Sequence, residues 1–105
     1  MSRKDVSDTL VCFAHYVRDQ YKARELSTPE LLREIAPLEK NYTEDWLMYW
    51  TGEHFNVVFR ALERTCDHGL IEYGTWVRGA WLEPEGRTLL KQELDIDIPK
   101  DRYEV

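Results

Sequence analysis

Only two cysteines occur in the chain, Cys12 and Cys66, with 53 residues between them. That is far from the dense framework of a small disulfide-stapled secreted domain, so a reducing, cytoplasmic (intracellular) setting is expected. Apolar residues never run on for anything near the roughly 18 that a bilayer span needs. The opening Met1-Ser2-Arg3-Lys4-Asp5 leads straight into charged, periodic sequence, so neither a signal peptide nor a membrane anchor is expected. With five glycines and four prolines in 105 residues there is no low-complexity linker, and the length suits one domain. Cations are the scarcer charge: 14 Lys and Arg against 20 Asp and Glu give a net charge of -6. Domains that bind nucleic acid usually carry a basic face, so any such reading must locate its cations residue by residue. No nucleophile with a base at recognisable spacing, no phosphate-cradling glycine loop and no metal-protease helix is present, so enzymatic activity and a cofactor are not expected.

What is present is the material of a packed core, 43% hydrophobic with 12% aromatic residues. From Lys4 to Tyr21, Val6, Leu10, Phe13, Val17 and Tyr21 recur at helical spacing and predict an amphipathic helix with that face inward. Ser27-Thr28-Pro29-Glu30 reads as a capped start for a short second helix with Leu31, Leu32 and Ile35 inward, stopping before Pro37. Thr43-Glu44-Asp45 offers another start, but Trp46, Leu47, Met48, Tyr49 and Trp50 are apolar on every side, which suits one or two buried turns. A break is expected near Thr51 and Gly52. Beyond it Phe55, Val58, Phe59, Leu62 and Cys66 share one face of a helix that ends at Gly69. The pattern then changes to two short strands, from Leu70 to Tyr73 and from Ala80 to Leu82, around a Gly74 to Gly79 turn. Pro84 starts a last helix to about Glu93, and an acidic tail of alternating acid and aliphatic residues closes the chain. The expected division is a domain over 1–93 and a tail over 94–105.

The run Phe59-Arg60-Ala61-Leu62-Glu63-Arg64, then Asp67-His68-Gly69-Leu70-Ile71-Glu72, then Trp81-Leu82-Glu83-Pro84-Glu85-Gly86-Arg87-Thr88-Leu89-Leu90 resembles winged helix-turn-helix proteins. In that superfamily a recognition helix ends in Gly-Leu-Ile, a wing follows, and a Leu-Thr-Pro-Glu-Gly-Arg-like turn starts the next helix. The implied fold is mainly α with a small β-hairpin, in the order helix, helix, short helix, helix, hairpin, helix. Thr65 stands where the superfamily usually has Leu, Glu83 where it usually has a Thr or Ser cap, and about 14 residues separate the second helix from the third. The resemblance implies a small transcriptional regulator that binds duplex DNA sequence-specifically, as a homodimer. Its third long helix would enter the major groove and its wing would lie along phosphates or the minor groove.

On the face opposite Leu62 lie Glu53, Asn56, Val57, Arg60 and Arg64, with Asp67 at its edge. Arg60 and Arg64 suit guanine edges or phosphates, Asn56 an adenine and Val57 a thymine methyl, while Glu53 would accept from cytosine or repel the backbone. Thr75, Trp76 and Arg78 are the wing candidates. Residues 41–82 nevertheless hold three cations, Arg60, Arg64 and Arg78, against six acids. Further phosphate contacts would have to come from Arg3, Lys4, Arg18, Lys22, Arg24, Arg33 and Lys40, in a segment balanced at seven charges of each sign. Two alternatives stand beside this reading. Arg60 and Arg64 would pair with Glu53, Glu63 or Asp67 on a solvated face, or the acidic surface and the Trp-rich insertion would bind a protein, with Trp46 and Trp50 at the interface. Tyr42, Trp46, Tyr49, Trp50, Trp76 and Trp81 would otherwise fill the core. Cys12, His15, Cys66 and His68 have the chemistry of a zinc set, but Cys12 and His15 fall on the Asp8 and Asp19 side of the first helix while Cys66 faces inward, so no metal is expected. Cys12 is then a surface or interface thiol, Cys66 a small core residue, and His54 a partly buried polar residue near a helix start.

Overall fold

The computed structural model describes residues 6–22, 42–73 and 81–98, with the backbone alone at 21 and 22. The expected second helix over 28–36, the wing residues Thr75, Trp76 and Arg78, and the end of the tail lie outside the described residues. Among those described, the fold is mainly helical with one small antiparallel sheet of two strands. No helix there is long and apolar enough to cross a membrane.

Helix α1 spans Asp8–Lys22, starting later than the Lys4 expected from periodicity. Ser7 sets the start, since its Oγ accepts the Leu10 N–H at 3.1 Å as an N-cap does. Val6 before the cap and Val11 in the first turn both enter the core, as in a hydrophobic staple. The inward face is broader than the one predicted. Val11, Cys12, Ala14, His15, Val17 and Arg18 are buried, whereas Leu10, Phe13 and Tyr16 are half-buried. The cause is tertiary: α1 packs against all three other described helices and the second strand, so few of its sides reach solvent. Cys12 is therefore a buried thiol and not a surface one, and its pKa is pushed up to about 12 by desolvation and the nearby Asp8 charge. Arg18, counted among the phosphate-contacting cations, is buried beside Asp19 at 3.4 Å and is withdrawn from that role.

Helix α2 covers Thr43–Thr51 and stops at Gly52, whose φ of 74° lets its N–H return to the Met48 carbonyl at 2.9 Å. Thr51 finishes the turn from both sides: its hydroxyl donates to the Leu47 carbonyl at 2.6 Å and accepts the Glu53 N–H at 3.1 Å. Trp46 is wholly buried with Val17, its ring 6.3 Å from Trp50, and Trp50 is 5.9 Å from Phe13. Trp46 is thus a core residue in the seam between α1 and α2, which corrects its expected place at an interface. Trp50 is half-buried in the same seam.

Helix α3 runs Phe55–Asp67 and ends in a Schellman motif. Gly69 takes φ 75°, its N–H donates to the Cys66 carbonyl at 2.9 Å, and the Leu70 N–H donates to the Thr65 carbonyl at 3.2 Å. Strands β1 (Ile71–Glu72) and β2 (Trp81–Leu82) then pair antiparallel with Ile71 opposite Leu82, both buried, and Glu72 opposite Trp81, both exposed. Helix α4 spans Pro84–Leu94. Gly86 is buried in its first turn, where a Cβ would collide with the Leu70 carbonyl oxygen, so this glycine lets α4 close onto the end of α3. After Asp95, in a left-handed conformation at φ 56°, the chain turns back and Ile96 and Ile98 pack on the core. The first residues of the tail are therefore part of the packed body.

Candidate nucleic-acid interface

Helix α3 is amphipathic, but it is turned about its axis relative to the face expected from spacing. Val58, Ala61, Leu62 and Thr65 are buried, while Phe55 is 42% exposed and Phe59 and Cys66 are half-buried. At about 100° per residue the core direction lies roughly 50° from Leu62, on the Thr65 side. Asn56, Arg60, Glu63 and Asp67 are consequently the outermost residues, with Val57 on one flank and Phe55 and Phe59 on the other, their rings 5.4 Å apart.

The cause of the rotation is visible at the far end of the helix. Asp8, the first residue of α1, collects three side-chain donors from the last turn of α3 and its C-cap. Arg64 Nε donates to its Oδ1 at 2.9 Å, Thr65 Oγ1 donates to the same oxygen at 2.8 Å, and His68 Nδ1 donates to Oδ2 at 2.6 Å. Arg64 also donates through Nη2 to the Val6 carbonyl at 2.6 Å. Thr65 is fully buried, and its one hydroxyl proton is shared between Asp8 and the Ala61 carbonyl, also at 2.8 Å, so a polar residue occupies the inward position without an unmet donor. Partial burial alone would raise the Asp8 pKa, but the hydrogen bonds from His68, Thr65 and Arg64, with the Arg64 charge, hold it below its ordinary 3.8. Neither Asp8 nor His68 is suggested as a partner by sequence spacing, because 60 residues separate them.

Of the sequence-derived candidates, Asn56, Val57 and Arg60 are brought together on the exposed N-terminal half of α3. Arg64 is not with them: it is bound to Asp8 and Val6 and not to Glu53, Glu63 or Asp67. His54 is exposed ahead of the helix and gives no side-chain cap, and the first turn of α3 carries no acid. The acids Glu63 and Asp67 lie in the C-terminal half. Charge along the outer stripe is therefore polarised, with Arg60 just before the middle of the helix and the carboxylates beyond it. Tyr49 at 54% exposure and Val57 at 44% add apolar surface on either side of the α2–α3 turn.

Among the described residues, the remaining histidine and the two cysteines form no second site. His15 is fully buried, its Nδ1 hydrogen-bonded to Thr43 Oγ1 at 2.9 Å, and desolvation together with the Arg18 charge pushes its pKa down to about 3, so it is neutral. Cys66 is part-buried, and desolvation and the surrounding Glu72, Asp67 and Glu63 charges push its pKa up to about 11. Among the described residues no three His, Cys, Asp or Glu side chains converge as metal ligands would. A groove of about 420 Å³ runs between α4 and the returning chain, lined by Arg87, Thr88, Lys91, Ile96 and Ile98 among others. Lys91 at its wall is occupied by Asp95 at 2.7 Å and Asp97 at 3.2 Å. The chain matches no protein-family model, no curated protein and no solved structure.

Proposed function

We propose that the protein is a winged-helix regulator that binds duplex DNA through the N-terminal half of α3. The observation that carries this reading is the joint exposure of Asn56, Val57 and Arg60 on a helix whose first turn is free of acid. Side chains near the start of a recognition helix are the ones that reach base edges, and amide, methyl and guanidinium groups suit adenine, thymine and guanine in turn. The order short helix, turn, exposed helix, two-stranded sheet, helix supports the same reading, as does Gly69 joining α3 to the sheet. Binding works by occupancy of the site and not by chemistry.

Anisotropy of a fluorescent random duplex at about 50 mM and about 200 mM salt tests it. Saturable binding that weakens steeply with salt is expected, because the electrostatic part of the affinity follows counterion release. A flat titration at the lower salt removes the proposal.

The exposed Tyr49, Phe55 and Val57 favour a second reading, a winged-helix module that binds a protein partner. Buried Trp46 contributes nothing to such a surface, so the partner would be held by these three residues at the α2–α3 turn. Loss of a captured partner on replacing Tyr49 and Phe55 with Ser, together with absent DNA binding, would select it.

A further inference from the structure

We propose that the outer stripe of α3 is a self-complementary docking surface for a second copy of this chain, laid antiparallel across it. That dimer covers Asn56 and Arg60, so it competes with DNA for one face. The competition rests on the DNA-binding reading, whereas the self-association does not.

Asn56, Arg60, Glu63 and Asp67 lie within about 30° of the line opposite the buried face of α3. Their spacing, i, i+4, i+7 and i+11, is that of a contact seam between two helices. All four are exposed, and Arg60, Glu63 and Asp67 form no ion pair among the described residues. Arg64 and His68 are held by Asp8, which leaves the stripe its own composition of amide, cation, acid, acid.

That order distinguishes the two ways of pairing the helix with itself. In a parallel pair Arg60 would face Arg60, Glu63 would face Glu63 and Asp67 would face Asp67, all of them repulsive. In an antiparallel pair that sets Arg60 against Glu63, the two-fold axis sets Glu63 against Arg60 as well, and it sets each Asn56 amide against an Asp67 carboxylate. Every member of the stripe then meets a complement, as an isologous interface demands. A two-fold axis across the helices in the plane of contact also brings like edges together. The half-exposed edge of Phe55, Phe59 and Cys66 thus lies beside the same edge of the second copy and supplies apolar burial that surface charge pairs lack. One helix pair falls short of the roughly 1,200–2,000 Å² of a strong interface, so association belongs to high concentration and reverses on dilution.

Sedimentation equilibrium at about 100 µM, a concentration suited to a contact of this size, tests the proposal on the full chain, with far-UV circular dichroism confirming that each variant is folded. The wild type is expected to approach twice its monomer mass. Arg60→Glu and Glu63→Arg each place like charges in contact and are expected to weaken association at least ~10-fold, and the double variant R60E/E63R to restore it to within about threefold of wild type. A monomeric wild type, single variants that associate as well as wild type, or a double variant as weak as the singles would each overturn it. Self-association that follows this charge cycle without any DNA binding retains the interface and removes the DNA reading. DNA binding by a strictly monomeric chain does the reverse.

Discussion

Replacing Asp8 with Ala removes the acceptor that joins the start of α1 to the end of α3. Three donors converge on it, two of them from groups that carry or can carry charge. Each charge-assisted bond is worth about 1.5–3 kcal/mol where it is shielded. Arg64 and His68 are 42% and 53% exposed, so their shares fall to the surface range of at most about 1 kcal/mol each. Thr65 keeps its bond to Ala61 and Arg64 keeps the Val6 carbonyl, so neither is left wholly unmet. The loss of an acid from the first turn of α1 adds a few tenths of a kcal/mol. The expected cost is about 2 kcal/mol, or a fall of roughly 8–12 °C in Tm for a domain of this size. The sign of the pH dependence follows from the lowered Asp8 pKa. Its stabilisation is complete above the unfolded value near 3.8 and is lost as pH falls through the lower folded value. Urea unfolding of wild type and Asp8→Ala at pH 7 and again at pH 2.5 should therefore show a gap at neutral pH that narrows in acid. A gap under about 0.5 kcal/mol at pH 7, the ordinary range for a surface substitution, would refute the reasoning.

Three further outcomes follow from the packing. His15 is neutral in the fold down to about pH 3 but ionises near 6.5 in the unfolded chain, so stability falls as pH drops from 6.5 towards 3, and His15→Gln should flatten that slope in a pH series of urea midpoints. Gly86→Ala should cost roughly 1–3 kcal/mol by thermal denaturation, the range for overpacking, because its Cβ meets the Leu70 carbonyl and sits 3.0 Å from Leu82 Cδ2; an unchanged Tm would mean that α4 does not seat on Leu70 as described. Native protein at pH 8 should leave Cys12 unmodified by a thiol reagent while Cys66 reacts slowly, and mass spectrometry of the labelled chain distinguishes the two.

Among the described residues, local signals in the sequence locate several of the element ends. Gly52 and Gly69 mark helix ends because each takes the left-handed conformation that a residue without a Cβ adopts most easily, and Pro84 marks the start of α4 because its fixed φ suits a first turn. What spacing could not supply was set by neighbours. The buried side of α1 includes Cys12, His15 and Arg18 because helices cover it on several sides, and no periodicity within α1 announces that. The face of α3 is rotated because Asp8 draws Arg64, Thr65 and His68 towards α1, a contact between residues nearly 60 positions apart. Thr65 is legible afterwards as the mark of this contact, since a Leu there would have no hydroxyl for Asp8. At the candidate site the same rotation keeps Asn56, Val57 and Arg60 in place and withdraws Arg64. Arg64 is engaged by Asp8 and Glu44 is buried, so the surface charge balance of the described part of residues 41–82 differs from the sequence count on both sides.

The central claim is that the N-terminal half of α3 is the DNA-contacting surface, and parallel anisotropy titrations of wild type, Arg60→Ala and Arg64→Ala against one duplex test it most directly. Protein at about 1 µM or below keeps most of the competing dimer dissociated, since so small a contact is weak. A guanidinium that pairs with a base edge is worth about 1–3 kcal/mol, so Arg60→Ala should weaken binding about 5- to 150-fold. Arg64→Ala, which disturbs an internal contact, should bind nearly as wild type while melting at a lower temperature. Equal losses from the two variants, or no measurable binding by the wild type, would contradict the account.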